Sequence, residues 1–157
     1  VTEGITMPTP SRILVPVDLM EGSKAVIDYA VQLAKPFNAS IEVLHAWEPP
    51  QYVAPDLLVA APGWNPQSLE KTALEAARKE LDALIAPIDS PRPITQRLEV
   101  GEPAKAVLRA AETGGFDMIV MGTHGRRGLP RLLLGSVAQK IIARAHCPVV
   151  TLHVPEK

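Results

Sequence analysis

Short aliphatic runs alternate with segments of helical spacing along this chain, and that alternation restricts the fold more than any other feature. Arg12-Ile-Leu-Val-Pro-Val-Asp18 is a β-branched run stopped by an acidic residue, which predicts a buried first strand. From Ser23, Val26, Tyr29, Ala30, Leu33 and Ala34 fall at three- and four-residue steps, so a helix follows until Pro36 and Asn38 end the pattern. Ala39 to Ala46 predicts a second strand, and a strand-helix-strand crossover implies parallel pairing.

The same punctuation continues. Asn65 as cap and Pro66 at the first helical position open a second helix running to about Ile85, closed by Pro87. Ile94 to Val100 alternates enough to predict a strand near a sheet edge, ended by Gly101. Glu102 and Pro103 begin a third helix with Ala106, Val107, Ala110 and Ala111 inward, and Gly114-Gly115 supplies a left-handed stop. Asp117 to Met121 is a wholly apolar run after its first residue, the pattern of a central parallel strand. A fourth helix starts near Gly135-Ser136 and carries Val137, Ile141, Ile142 and Ala145; Pro148 to Val154 is the last strand. Five strands and four helices in alternation predict an α/β fold, an open, doubly wound, five-stranded parallel sheet.

Composition supports this. Hydrophobic residues make up 46% of the 157 but aromatics only 4%, so the core is aliphatic, as parallel strands covered by helices require. Sixteen prolines mark boundaries, and five of them (Pro49, Pro50, Pro55, Pro62 and Pro66) crowd residues 48–66, which predicts an insertion loop with room for a short helical turn at 57–61. Residues 1–10 are polar and carry two prolines, so they are expected to be a flexible tail before a single domain at 11–157.

Sixteen Lys and Arg against seventeen Asp and Glu leave a formal charge of −1, which argues against nucleic acid as the main partner. The sequence shows no basic region followed by an apolar run and no stretch long enough to cross a bilayer, so a cytoplasmic location without a membrane partner is expected. The single Cys147 excludes an internal disulfide and reads as a small hydrophobe. His45, His124, His146 and His153 lack metal-ligand spacing and read as packing or surface residues, and no metal site is expected.

In doubly wound sheets ligands collect at the carboxyl ends of the strands where the strand order reverses, which directs attention to Asp18, Ala46 and the turn after Met121. That turn reads Met121-Gly122-Thr123-His124-Gly125-Arg126-Arg127-Gly128, and Gly135-Ser136-Val137 follows at a helix start, giving Gly-x2-Gly-x9-Gly-Ser. Glycines permit positive φ and let backbone N–H groups approach an anion, while a helix N-terminus adds partial positive charge. Such an arrangement can cradle phosphate. Asp18 is placed to accept from ribose or to hold a cation's water shell, or is simply a turn residue; Arg126, Arg127 and Arg131 read as solvated. P-loop, nucleophile-elbow and dinucleotide-binding patterns are all missing.

The glycine spacing resembles the nucleotide-binding signature of the universal stress protein family, ATP-binding type, whose fold is Rossmann-like (adenine nucleotide alpha hydrolase-like). Ile13 to Asp18, Val43-Leu44-His45, Val100 to Pro103 and Cys147 to Val150 also resemble family landmarks, so the likeness spans roughly residues 12–154. The resemblance implies that Pro16, Val17 and Asp18 contact adenine and ribose and that Ala46 lines the adenine pocket. It further implies that Met121, Gly122, Gly125, Gly135, Ser136 and Val137 surround ribose and phosphates, with ATP and Mg²⁺ as ligands. Leu19-Met20 stands where an aromatic and a Ser are common, and Ala46 is smaller than the usual Val, so a looser adenine pocket is expected. The resemblance also implies a homodimer through the last strand, about 149–154. Two functions follow as expectations: an ATP-binding stress-response module with slow or no hydrolysis and no assigned catalytic residue, or a nucleotide-free dimeric scaffold binding a protein through the Pro-rich insertion. A slow ATPase is a third, weaker option.

Overall fold

The computed structural model describes residues 9–51, 65–123 and 134–154. Residues 1–8, residues 52–64 of the Pro-rich insertion with the helical turn expected at 57–61, residues 124–133 with Gly125 and the three arginines, and residues 155–157 lie outside the described residues.

The elements are β1 (Arg12–Pro16), α1 (Ser23–Ala34) with a 3-10 turn (Lys35–Phe37), β2 (Ser40–Trp47), α2 (Pro66–Ile85), β3 (Thr95–Val100), α3 (Pro103–Thr113), β4 (Met118–Gly122), α4 (Ser136–Arg144) and β5 (Val149–Leu152). Their sheet has the order β3-β2-β1-β4-β5 and every pair is parallel. β1 therefore stands beside both β2 and β4, and the chain's winding reverses across the β1–β4 pair. β1 pairs with β2 over five residues, Arg12 to Pro16, but with β4 only at Ile13↔Met118 and Leu14↔Ile119. Beyond Leu14 and Ile119 the ladder between the two central strands stops, Pro16 having no N–H to donate, and we call this unpaired stretch at their carboxyl ends the fork.

Local rules explain most boundaries. Asn65 Oδ1 accepts from Ser68 N at 2.7 Å while Ser68 Oγ accepts from Asn65 N at 3.3 Å, a capping box that starts α2. Gly115, at φ +64, takes the left-handed stop after α3, whereas Gly114 remains right-handed. At the other end of the sheet the Asp117 carboxylate accepts from Ser11 N, Ser11 Oγ and Arg12 N, fastening the start of β1 to the start of β4.

Two aliphatic clusters flank the sheet. On one face Ile13, Val15, Ile41, Val43 and Val120 pack against α1 and α2; on the other Leu14, Leu44, Ile119 and Met121 pack against α3 and α4. The buried face of α1 is Ser23, Val26, Ile27, Ala30, Val31 and Ala34, so Ile27 and Val31 replace the expected Tyr29, which is 38% exposed. Because α1 lies across β1, β2 and β4 together, its contact stripe is wider and rotated from the one that spacing alone suggests. Likewise Ala138 and Ile141 face the sheet from α4 while Ile142 is exposed.

Candidate functional site

The carboxyl end of β1 is held by a series of specific bonds. Val17, one residue past the strand, still donates its amide to Leu44 O at 2.8 Å. Its carbonyl accepts from the His45 ring, Nδ1 lying 2.9 Å away. Asp18 Oδ1 then accepts from Met20 N at 2.9 Å and from the buried Ser23 Oγ at 3.1 Å, and Leu19 between them adopts φ +62. A non-glycine residue in that region costs about 1–2 kcal/mol, so the turn persists because the bonds around it over-determine it. Asp18 is thus a turn residue through Oδ1, and its Oδ2 meets no partner among the described residues.

Across the fork, β4 ends at Gly122, which pairs with Leu152 of β5. Thr123 N donates to Leu152 O, and Thr123 O accepts from Gly135 N, both at 3.0 Å. The second bond brings the start of α4 against the end of β4. Gly135 is the N-cap of α4 and has no side chain to cap with, so the amides of the first helical turn are left uncapped by it. α3 differs: its N-cap Glu102 accepts from Ala104 N and Lys105 N, and Lys140 of α4 reaches the same carboxylate at 3.2 Å. Partial burial pushes the Glu102 carboxyl up, but the Lys140 ammonium and the two amides outweigh it and hold it below the ordinary carboxylate range. One helix start on this face is therefore filled by its own anion, and the other meets none among the described residues.

Neither Gly122 nor Gly135 has positive φ, contrary to the conformational role expected of the motif glycines. At Gly135 what matters is the missing Cβ, whereas at Gly122 a Cβ would make only ordinary contact. One added at Gly135 would stand 3.0 Å from Thr123 O, and one at Gly122 would lie 3.5 Å from Val26 Cγ2 of α1.

The structure brings Ala46, Met121 and Val137 to the α3/α4 face, with Met121 fully in the core and Ala46 and Val137 half-buried around it. Strand alternation puts Pro16 on this face too, next to Leu14. Ser136 is exposed at the first turn of α4. Val17 does not join them: it packs with the α1/α2 cluster, so its side chain and Ala46 lie on opposite faces. Gly125 lies outside the described residues. Sequence spacing missed Thr123 and His45, whose partners are 12 and 28 positions away, and it missed buried Ser23 beneath Asp18. Cys147 is half-buried, and burial together with the Asp117 carboxylate pushes its thiol up, which fits a packing residue.

Among the described residues no group of three or more His, Cys, Asp or Glu side chains stands together as a metal site, and no helix is long and apolar enough to cross a membrane.

Comparison with known proteins yields a consistent family. The family model described as Universal stress protein family matches residues 10–153. Universal stress protein MJ0531 of Methanocaldococcus jannaschii is 34% identical over 148 residues, covering 93% of this chain and 84% of that protein. A universal stress protein of Thermus aquaticus is 35% identical over 139 residues, covering 88% and 95%. Among solved structures, UspA from Lactobacillus plantarum superposes with a TM-score of 0.72 at 23% identity, covering 93% of this chain and 99% of that one. A universal stress protein in complex with cAMP gives 0.61 at 23% identity (93% and 98%), and one from Archaeoglobus fulgidus in complex with dAMP gives 0.55 at 19% identity (92% and 98%).

Proposed function

The chain belongs to the universal stress protein family, and from that premise we propose that it is a stress-response module that binds ATP with Mg²⁺ in the fork between β1 and β4. The observation that carries this reading is the bond from Gly135 N to Thr123 O, which joins the end of β4 to a helix start that no side chain caps among the described residues. Helix amides in that position suit phosphate, and the cAMP and dAMP complexes of two structural neighbours support an adenine nucleotide as the ligand class.

In this reading Pro16, the main chain of Val17, and Ala46 border the adenine, and Met121 belongs with the residues around ribose and phosphates. Gly122, Gly125, Gly135, Ser136 and Val137 surround ribose and phosphates, and Asp18 accepts from ribose or from the ion's water shell through Oδ2. Mg²⁺ commonly keeps several waters and is held by phosphates plus one or two carboxylates, which the single Asp18 oxygen suits. With Oδ1 already engaged by Met20 N and Ser23 Oγ, we assign Asp18 no role as general base and expect slow or no hydrolysis. The module works as a cytoplasmic homodimer joined along β5, whose outer edge pairs with no strand among the described residues.

Titration calorimetry with ATP and Mg²⁺ tests the reading. Binding by the wild type and its loss in the Gly122→Val, Gly135→Leu double variant are expected. A wild type that gives no binding at millimolar ATP overturns it.

A further inference from the structure

We propose that His45 is a positioning residue for this site: by donating Nδ1–H to the Val17 carbonyl it orients the Val17–Asp18 peptide so that the Asp18 amide faces the fork. The inference rests on the nucleotide-binding reading above and adds to it a residue to which that reading gives no role.

The chemistry of the contact decides the tautomer. A carbonyl oxygen only accepts, so the nitrogen 2.9 Å from Val17 O carries the hydrogen and Nε2 is bare in the neutral ring. The consequence for the site follows from peptide geometry. Val17 sends both its N–H and its C=O towards β2, the first to Leu44 O and the second to the His45 ring. In a planar trans peptide the C=O of one residue and the N–H of the next point in opposite directions. Pinning the Val17 carbonyl towards β2 therefore turns the Asp18 N–H towards β4, the other neighbour of β1. That amide has no acceptor among the described residues, so it is available as a donor.

A side chain is needed for this because the ladder to β2 ends with the bond from Val17 N to Leu44 O, and no backbone donor among the described residues meets Val17 O. The turn that follows is the strained one, with Leu19 at φ +62. Asp18 anchors the far side of the turn to Met20 and Ser23, and His45 anchors the near side from 28 positions along the chain. Packing alone does not require histidine, since an aliphatic residue would fill comparable space while leaving the carbonyl unpaired.

The test combines three variants with a spectroscopic measurement on the intact wild type. Asparagine places an amide nitrogen where Nδ1 stands, glutamine places it where Nε2 stands, and leucine offers volume without a donor. His45→Asn is expected to keep ATP affinity within about threefold, while His45→Gln and His45→Leu weaken it about tenfold, the scale of one lost hydrogen bond. A space-filling role predicts the reverse order, with leucine best. Nitrogen-15 NMR of the neutral ring is expected to report the Nδ1–H tautomer. A dominant Nε2–H tautomer, or ATP affinity unchanged in His45→Gln and His45→Leu, overturns the proposal. Should the leucine variant fail to fold, the asparagine and glutamine pair decides. A wild type that does not bind ATP fails the nucleotide reading and this role together; a wild type that binds while the variants bind equally well fails this role alone.

Discussion

The amide of Gly135 lies 3.0 Å from the carbonyl oxygen of Thr123, and a Cβ added at position 135 would stand at the same 3.0 Å from that oxygen. Gly135 has φ −60 and ψ 151, which any residue adopts, so glycine serves there through close approach and not through its backbone freedom. The bond spans twelve positions and joins the end of β4 to the start of α4, the two elements whose junction the proposed phosphate site needs.

Gly135→Ala should weaken ATP binding modestly, by about threefold, because the Thr123 carbonyl must give way by a few tenths of an ångström. Gly135→Leu should weaken it at least about tenfold, since a branched side chain cannot enter without separating α4 from β4. Calorimetric titration of the two variants checks the order, and equal affinities would contradict it.

Asp18 has two separable roles, one for each oxygen. Asp18→Asn retains an oxygen to accept from Met20 N and Ser23 Oγ, so urea unfolding should show a loss below about 0.5 kcal/mol. Asp18→Ala should lose about 1 kcal/mol, as at other sites where a side chain satisfies main-chain donors. Both should weaken binding of ATP with Mg²⁺, because both remove the charge at Oδ2. Equal stability of the two variants would show that the turn does not depend on Oδ1.

Gly114 is enclosed. A Cβ there would meet Phe116 Cε2 at 2.4 Å and Ala110 O at 2.8 Å, and Phe116 is itself buried. Gly114→Ala should destabilise by about 1–3 kcal/mol, despite alanine's better helix propensity. A thermal melt that does not move would mean that Phe116 repacks freely.

Asp117 makes stability depend on pH. Burial pushes its carboxyl up, but the Ser11 hydroxyl and the Ser11 and Arg12 amides outweigh that and hold it below its ordinary value. A carboxyl whose folded-state value is depressed contributes stability above its unfolded value, about 3.9, and loses that contribution as pH falls through the folded value. Asp117→Asn should therefore be less stable than wild type by a constant margin above about pH 5, and the margin should shrink as the solution is acidified below about pH 4. Glu102, held down through Lys140, Lys105 and Ala104, should act in the same direction. Denaturant unfolding across pH 3–7 checks this, and a margin that widens on acidification would contradict it.

Local chemistry made much of this protein legible in its sequence. The start of α2 at Asn65-Pro66 and the stop after Thr113 depend on residues within a few positions of one another, so spacing and capping rules reach them. The parallel sheet also followed from alternation, and the shared face of Ala46 and Met121 is consistent with strand periodicity. Tertiary structure decided what happens between strands. It turned Tyr29 outward, put Val17 on the face opposite Ala46, gave Gly135 a steric role in place of a conformational one, and tied His45 to Val17 and Thr123 to Gly135. The reason is physical: helix starts and strand patterns are set by interactions a few residues long. Which carbonyl meets which imidazole, or which cap meets which strand end, depends on a strand order that only the packed sheet defines.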